Sequence, residues 1–146
     1  MATIDARDDH RAWLLESAAL IRAGQFDALD AVQLAEELED IGTSTARELE
    51  NRVGVLLAHL LKWRYQPERR GASWEATIKE QRQRILRLLR KNPSLKENLE
   101  ETCTDAYSDA RLIARRETGL PENTFPQLSP FDWQQTVGDF WPEEHT

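Results

Sequence analysis

Apolar residues recur every three or four positions along almost the whole chain, the period of helices that bury one face. No segment shows the two-residue alternation of a half-buried strand with any consistency. Trp13, Leu14, Ser17, Leu20 and Ile21 form the stripe of a first helix from about Ala6 to Ala23, capped by Asp5 and ended by Gly24. Asp30 is placed to cap a second helix through Ile41, with Leu34, Leu38 and Ile41 turned inward, and Gly42 predicts a break or kink. Thr43 or Ser44 starts a third helix to about Arg64. Its apolar positions (Leu49, Val53, Val55, Leu56, Leu57, Leu60 and Leu61) cover most of its circumference, so it should be the most buried. Pro67 and Gly71 mark a loop, and Ser73 caps a fourth helix from Trp74 to Lys91. Asn92-Pro93 ends it, because a residue before proline is pushed out of helical angles. Ser94 and Glu97 have the spacing of a capping box and open a fifth helix, Leu95 to about Thr118, stopped by Gly119.

Beyond Gly119, Pro121, Pro126, Pro130 and Pro142 punctuate a segment that also carries Phe125, Phe131, Trp133, Phe140 and Trp141. So many aromatics predict a tail that packs back onto the helices, with one short helix after Ser129-Pro130. The expected architecture is therefore all-α. It is a single-domain helical bundle with a four-helix-bundle-like core, about five main helices over 6–120, and a packed tail over 121–146. Short links would make consecutive helices antiparallel neighbours.

Composition narrows the class. At 146 residues, 40% of them hydrophobic and 31% charged, the chain has enough apolar material for a real core and is too hydrophobic for disorder. The longest apolar run, 53–61, falls well short of the ~18 residues a membrane span requires. A single cysteine, Cys103, rules out an internal disulfide and a multi-cysteine zinc site. The acidic N-terminus lacks the apolar core of a signal peptide, which leads to the expectation of a cytoplasmic protein.

Charge is distributed in blocks. Residues 1–61 hold 5 Lys and Arg against 12 Asp and Glu, residues 62–91 hold 10 against 3, and residues 92–146 hold 4 against 11. The simplest reading is charge balance within the fold. The flanking acids would also blunt the field that a nucleic acid needs. Nucleic-acid binding through 62–91 therefore stands only as a third option, behind an interaction module and a small-molecule cleft, and the partners expected are a protein or a second copy in a homodimer.

Three groups of residues could carry chemistry. In the acidic run Glu36–Asp40, Glu37 lies at the edge of the apolar stripe and is the one expected to be half buried. On the third helix His59 shares a polar stripe with Arg52, Lys62 and Gln66. On the fourth, Gln81 and Arg82 fall within or beside the buried side, where apolar residues are normal. An arginine so placed calls for a carboxylate, and Glu37 is the candidate. Glu37, His59, Lys62 and Arg82 together define a hypothetical small-molecule or hydrolytic cleft. Trp63, Tyr65, Gln66, Arg69, Arg70, Trp74 and Gln81 define a hypothetical binding surface, rich in the residue types that dominate interfaces. Diiron-type Glu-x-x-His pairs and phosphate-binding or nucleophile-elbow glycine motifs do not occur in the sequence. No metal or cofactor is expected. Cys103 aligns with Leu99, Ala106 and Ala110 and reads as a small core residue.

Several stretches, among them LAEELEDIG (34–42), LLAHLLKWRYQPERR (56–70), SWEATIKEQRQRI (73–85), NPSL (92–95), ETGLPENTFP (117–126) and the Phe140-Trp141-Pro142 triplet, resemble a family of uncharacterised bacterial proteins, the domain of unknown function 29 family. The resemblance spans nearly the whole chain. It implies a compact all-helical domain and brings no reaction, cofactor or catalytic residue. Arg70-Gly71-Ala72 departs slightly from the family's loop. The expected role is thus a protein-interaction or regulatory module, with the cleft as the alternative.

Overall fold

A computed structural model describes residue 5 and residues 7–143. All regular structure among these is helical. The helices are α1 (His10–Arg22), α2 (Ala31–Tyr65), α3 (Ala72–Lys91), α4 (Leu99–Thr118) and the short α5 (Trp133–Val137). Short 3₁₀ turns connect them at Phe26–Ala28, Pro67–Arg69, Pro93–Asn98 and Glu122–Thr124. The chain divides into two compact units, Met1–Ser44 and Thr45–Thr146.

In the first unit Asp9 caps α1 by accepting from the Ala12 N–H, and Trp13 and Ser17 are its buried positions. Asp5 does not cap it, and Ala6, where the sequence pattern starts the helix, lies outside the described residues. The helix ends on Gly24 at φ +73°, the left-handed conformation that glycine adopts without strain. Asp30 caps α2 as expected, through the Gln33 N–H.

Gly42 does not end the helix: α2 runs from Ala31 to Tyr65. An interior glycine costs a helix about 1 kcal/mol, too little to end one flanked by good helix formers such as EELED and ARELE. Leu38 and Ile41 are 61% and 56% exposed, not turned inward.

The second unit holds the main core. Leu49, Val53, Leu56, Leu57, Leu60 and Leu61 of α2 pack with Ile78, Ile85 and Leu89 of α3 and with Ala106, Tyr107, Ala110 and Ala114 of α4. The alanine face of α4 permits close approach: a Cβ placed on Gly54 would stand 3.5 Å from the Ala106 carbonyl. The C-terminal segment completes the core with Phe125, Phe131 and Val137, while Phe140 and Trp141 pack against it.

Two expected helix starts differ. α3 begins at Ala72, so Ser73 lies inside it and offers no cap. Ser94 and Glu97 form no capping box. Pro93 leads a 3₁₀ stretch to Asn98, and the Leu99 N–H donates to the Lys96 carbonyl. The preceding backbone thus takes up a donor that a capping side chain would have served. A capping box does form at α5, between Asp132 and Gln135. Gly119 terminates α4 at φ +75°, and Asn92 closes α3, both as the sequence predicts.

Candidate functional site

Three residues of the run from His59 to Trp74 hold the C-terminal segment: Trp63, Tyr65 and Arg70. The Trp63 ring packs against Trp141 at 4.7 Å between centroids. The Arg70 guanidinium lies over Trp63, donates to the Trp63 carbonyl and pairs with Glu143 at 3.1 Å. Tyr65 meets Phe125 edge-on. Lys62 is buried, with its Nζ 4.9 Å from the Trp74 ring centre and 3.2 Å from a Glu117 carboxylate oxygen. Gln66 is half buried, whereas Arg69 is exposed. The indole N–H of Trp63 is buried without an acceptor.

Arg82 corrects one expectation. It is 7% exposed, and its partners are backbone carbonyls instead of Glu37: those of Thr136, Gln135 and Phe140. Its guanidinium also faces the Trp141 ring. Five donors in a planar fork suit this task, since one side chain can bind several carbonyls of a turning backbone. Gln81 accepts from Arg52. In the first unit Glu37 is half buried, as its edge position predicts, and its partner is His10, whose Nε2 lies 3.0 Å from a Glu37 carboxylate oxygen.

His59 hydrogen-bonds through Nδ1 to the Val55 carbonyl, 2.9 Å away. Burial pulls its pKa below 6.5, aided by the nearby Lys62 charge and opposed by the Val55 carbonyl and Glu117. Native His59 is therefore neutral at pH values where the unfolded chain already binds a proton. Its contribution to stability is complete above pH 6.5 and is lost as pH falls from 6.5 through the lowered value. Urea unfolding measured across that range should show falling stability in the wild type and a flatter profile in His59→Gln. Identical slopes would contradict this assignment.

The cations of 62–91 do not form one free face. Lys62 and Arg82 are buried, Arg70 is pinned to the tail, and Lys79 and Arg84 pair within their helix with Glu75 and Glu80. Arg69, Arg87, Arg90 and Lys91 remain exposed.

Two surface features had no counterpart in the sequence reading. Among the described residues the first unit holds six of the nine large apolar side chains that stay exposed: Leu15, Ile21, Phe26, Val32, Leu38 and Ile41. With 3 basic and 10 acidic residues, its 44 positions also carry the whole net charge of −7. The second unit has a half-open groove of about 800 Å³ between α4 and the segment 127–136. Cys103 lines it and is half buried, which raises its thiol pKa. Among the described residues no three His, Cys, Asp or Glu side chains group to hold a metal ion, and no helix is long and apolar enough to cross a membrane.

The fold places the chain among all-α proteins with a packed helical core and a docked aromatic tail. It belongs to the family described as domain of unknown function DUF29, matched over residues 7–141. Trp63, Arg70 and Trp141, which meet where the tail docks, all lie within the matched span. No curated protein and no solved structure matches the chain.

Proposed function

We propose that this chain is a cytoplasmic protein-interaction module whose first unit binds a partner with a basic, partly apolar surface. The supporting observation is the concentration of exposed apolar side chains in a segment that carries the entire net charge. The second unit, more than twice as long, leaves three such side chains exposed among its described residues, and apolar surface gathered in one region marks interaction sites. The −7 charge disfavours pairing with a second copy through the same unit and favours a cationic partner.

The alternative, a small-molecule or hydrolytic site on Glu37, His59, Lys62 and Arg82, draws no support from their surroundings. Each has a partner that explains its position: His10, the Val55 carbonyl, Glu117 and the tail carbonyls.

Recovery of partners from host extract by the tagged full chain tests the proposal. Val32→Gln with Leu38→Gln keeps the charge and should reduce recovery about five-fold or more, the effect of ~1 kcal/mol, with helical circular dichroism unchanged. Equal recovery by this variant and the wild type would sink it. The loop residues are tested alongside: Tyr65→Ala with Arg69→Ala should leave recovery intact if the first unit is the docking surface.

A further inference from the structure

The groove of the second unit runs along one helix. Glu100, Cys103, Tyr107 and Arg111, which line it, stand on successive turns of α4 and span about 16 Å at ~1.5 Å per residue. Phe131 and Trp133 form much of the apolar far wall. Hydroxyl and amide side chains also line it, Thr104 and Ser108 on α4, Gln127 and Ser129 on the other segment. A mainly apolar groove along about three turns of a helix suits the apolar face of an amphipathic helix.

Its charges are sorted by end. Glu97 and Glu100 lie at the α4 N-terminal end, against one cation, Lys96. Glu101 adds a third carboxylate in the shallow depression alongside. Arg111 lies at the other end. One nitrogen of its guanidinium donates to the Glu122 and Phe125 carbonyls, while its Nε–H is buried without an acceptor. An occupant complementary to this pattern is anionic near Arg111 and cationic near Glu97 and Glu100. A helix antiparallel to α4 meets both demands with acid in its first turn and base in its last, the arrangement its own macrodipole prefers.

We propose that this groove receives an amphipathic helix of a partner protein, antiparallel to α4, with a carboxylate opposite Arg111 and basic residues opposite Glu97 and Glu100. This site goes beyond the docking surface on the first unit and does not depend on it. A partner held by the first unit alone leaves the groove result untouched, so the two ideas fail separately.

The lone cysteine provides a local reporter. The probe is a fluorescein-labelled, helix-stapled peptide of about four turns with leucines at i, i+3, i+7 and i+10, a glutamate in its first turn and two lysines in its last. Its twin has the charges exchanged. Binding to the full chain is followed by fluorescence anisotropy, and occupancy by slowed alkylation of Cys103 with N-ethylmaleimide. The first peptide should bind about ten-fold more tightly than its twin, the sum of a few rim charges at ~0.2–1 kcal/mol each. Glu97→Lys with Glu100→Lys and Arg111→Glu should invert the preference, and protection of Cys103 should follow affinity. Because Arg111 also braces the Glu122–Phe125 turn, Glu97→Lys with Glu100→Lys alone serves as the milder variant and should abolish or reverse the preference. Equal affinity for both peptides, binding by neither, or binding that leaves Cys103 reactive would overturn the proposal. Protection of Cys103 in the protein alone, rising with concentration alongside a dimer in sedimentation equilibrium, would overturn it in favour of a second copy.

Discussion

Replacing Phe125 with alanine should destabilise the protein by about 3–5 kcal/mol, the cost of emptying a fully buried aromatic site. Phe125 is the largest of the fully buried side chains, at 1% exposure, and no helix carries it. It lies just after the Glu122–Thr124 turn, and its ring meets the edge of Tyr65 with 5.6 Å between centroids. Its carbonyl accepts from Arg111. The void would therefore lie between the C-terminal segment and the end of α2, loosening both. Urea unfolding followed by tryptophan fluorescence measures the loss. Phe125→Leu, which keeps most of the volume, should cost less than about half as much. A loss below ~1 kcal/mol for the alanine variant would mean that the segment is not part of the cooperative core.

Arg82→Met should cost about 3 kcal/mol although methionine fills much the same space. The carbonyls of Thr136, Gln135 and Phe140 would lose their donor, and a buried acceptor without a partner costs ~1–3 kcal/mol. Arg82→Lys should recover little of this, because one ammonium on a flexible stem cannot reproduce a planar fork. The same unfolding experiment decides the matter. A methionine variant as stable as wild type would show that the tail is held by its aromatic contacts alone, as in the Trp63–Trp141 pair.

Much of the fold was legible because periodicity and punctuation agree where they occur together. Asp30, Asn92-Pro93 and Gly119 mark real helix limits, since each acts through local backbone chemistry. Gly42 misled for the opposite reason. It carries a penalty without a competing local structure, and the surrounding helix formers override it. Ser94-x-x-Glu97 misled because proline set up a 3₁₀ turn that already satisfies backbone donors. Leu38 and Ile41 have a core-like spacing but remain largely exposed, because spacing alone does not set how deeply a stripe is buried.

The candidate residues divide along the same line. That Arg82 sits on a buried face was visible in the sequence. Its partners were not, because backbone carbonyls occur at every residue and leave no signature. Likewise, the aromatics of 121–142 announced a docked tail, and the basic-aromatic loop was legible as unusual. That the two belong to each other required the fold. The groove could not be foreseen at all, since it depends on how far residues 127–136 stand from α4.

The order of synthesis follows from where the core residues fall in the chain. Phe125, Phe131 and Val137 are structural members of the core of the second unit, and Trp141 seals against Trp63. A ribosome delivers them only after α2, α3 and α4 have emerged with their apolar faces uncovered. The nascent second unit must therefore wait, partly assembled, until about residue 141 has cleared the exit tunnel. During that interval its leucine-rich α2 is exposed to chaperones and to neighbouring nascent chains.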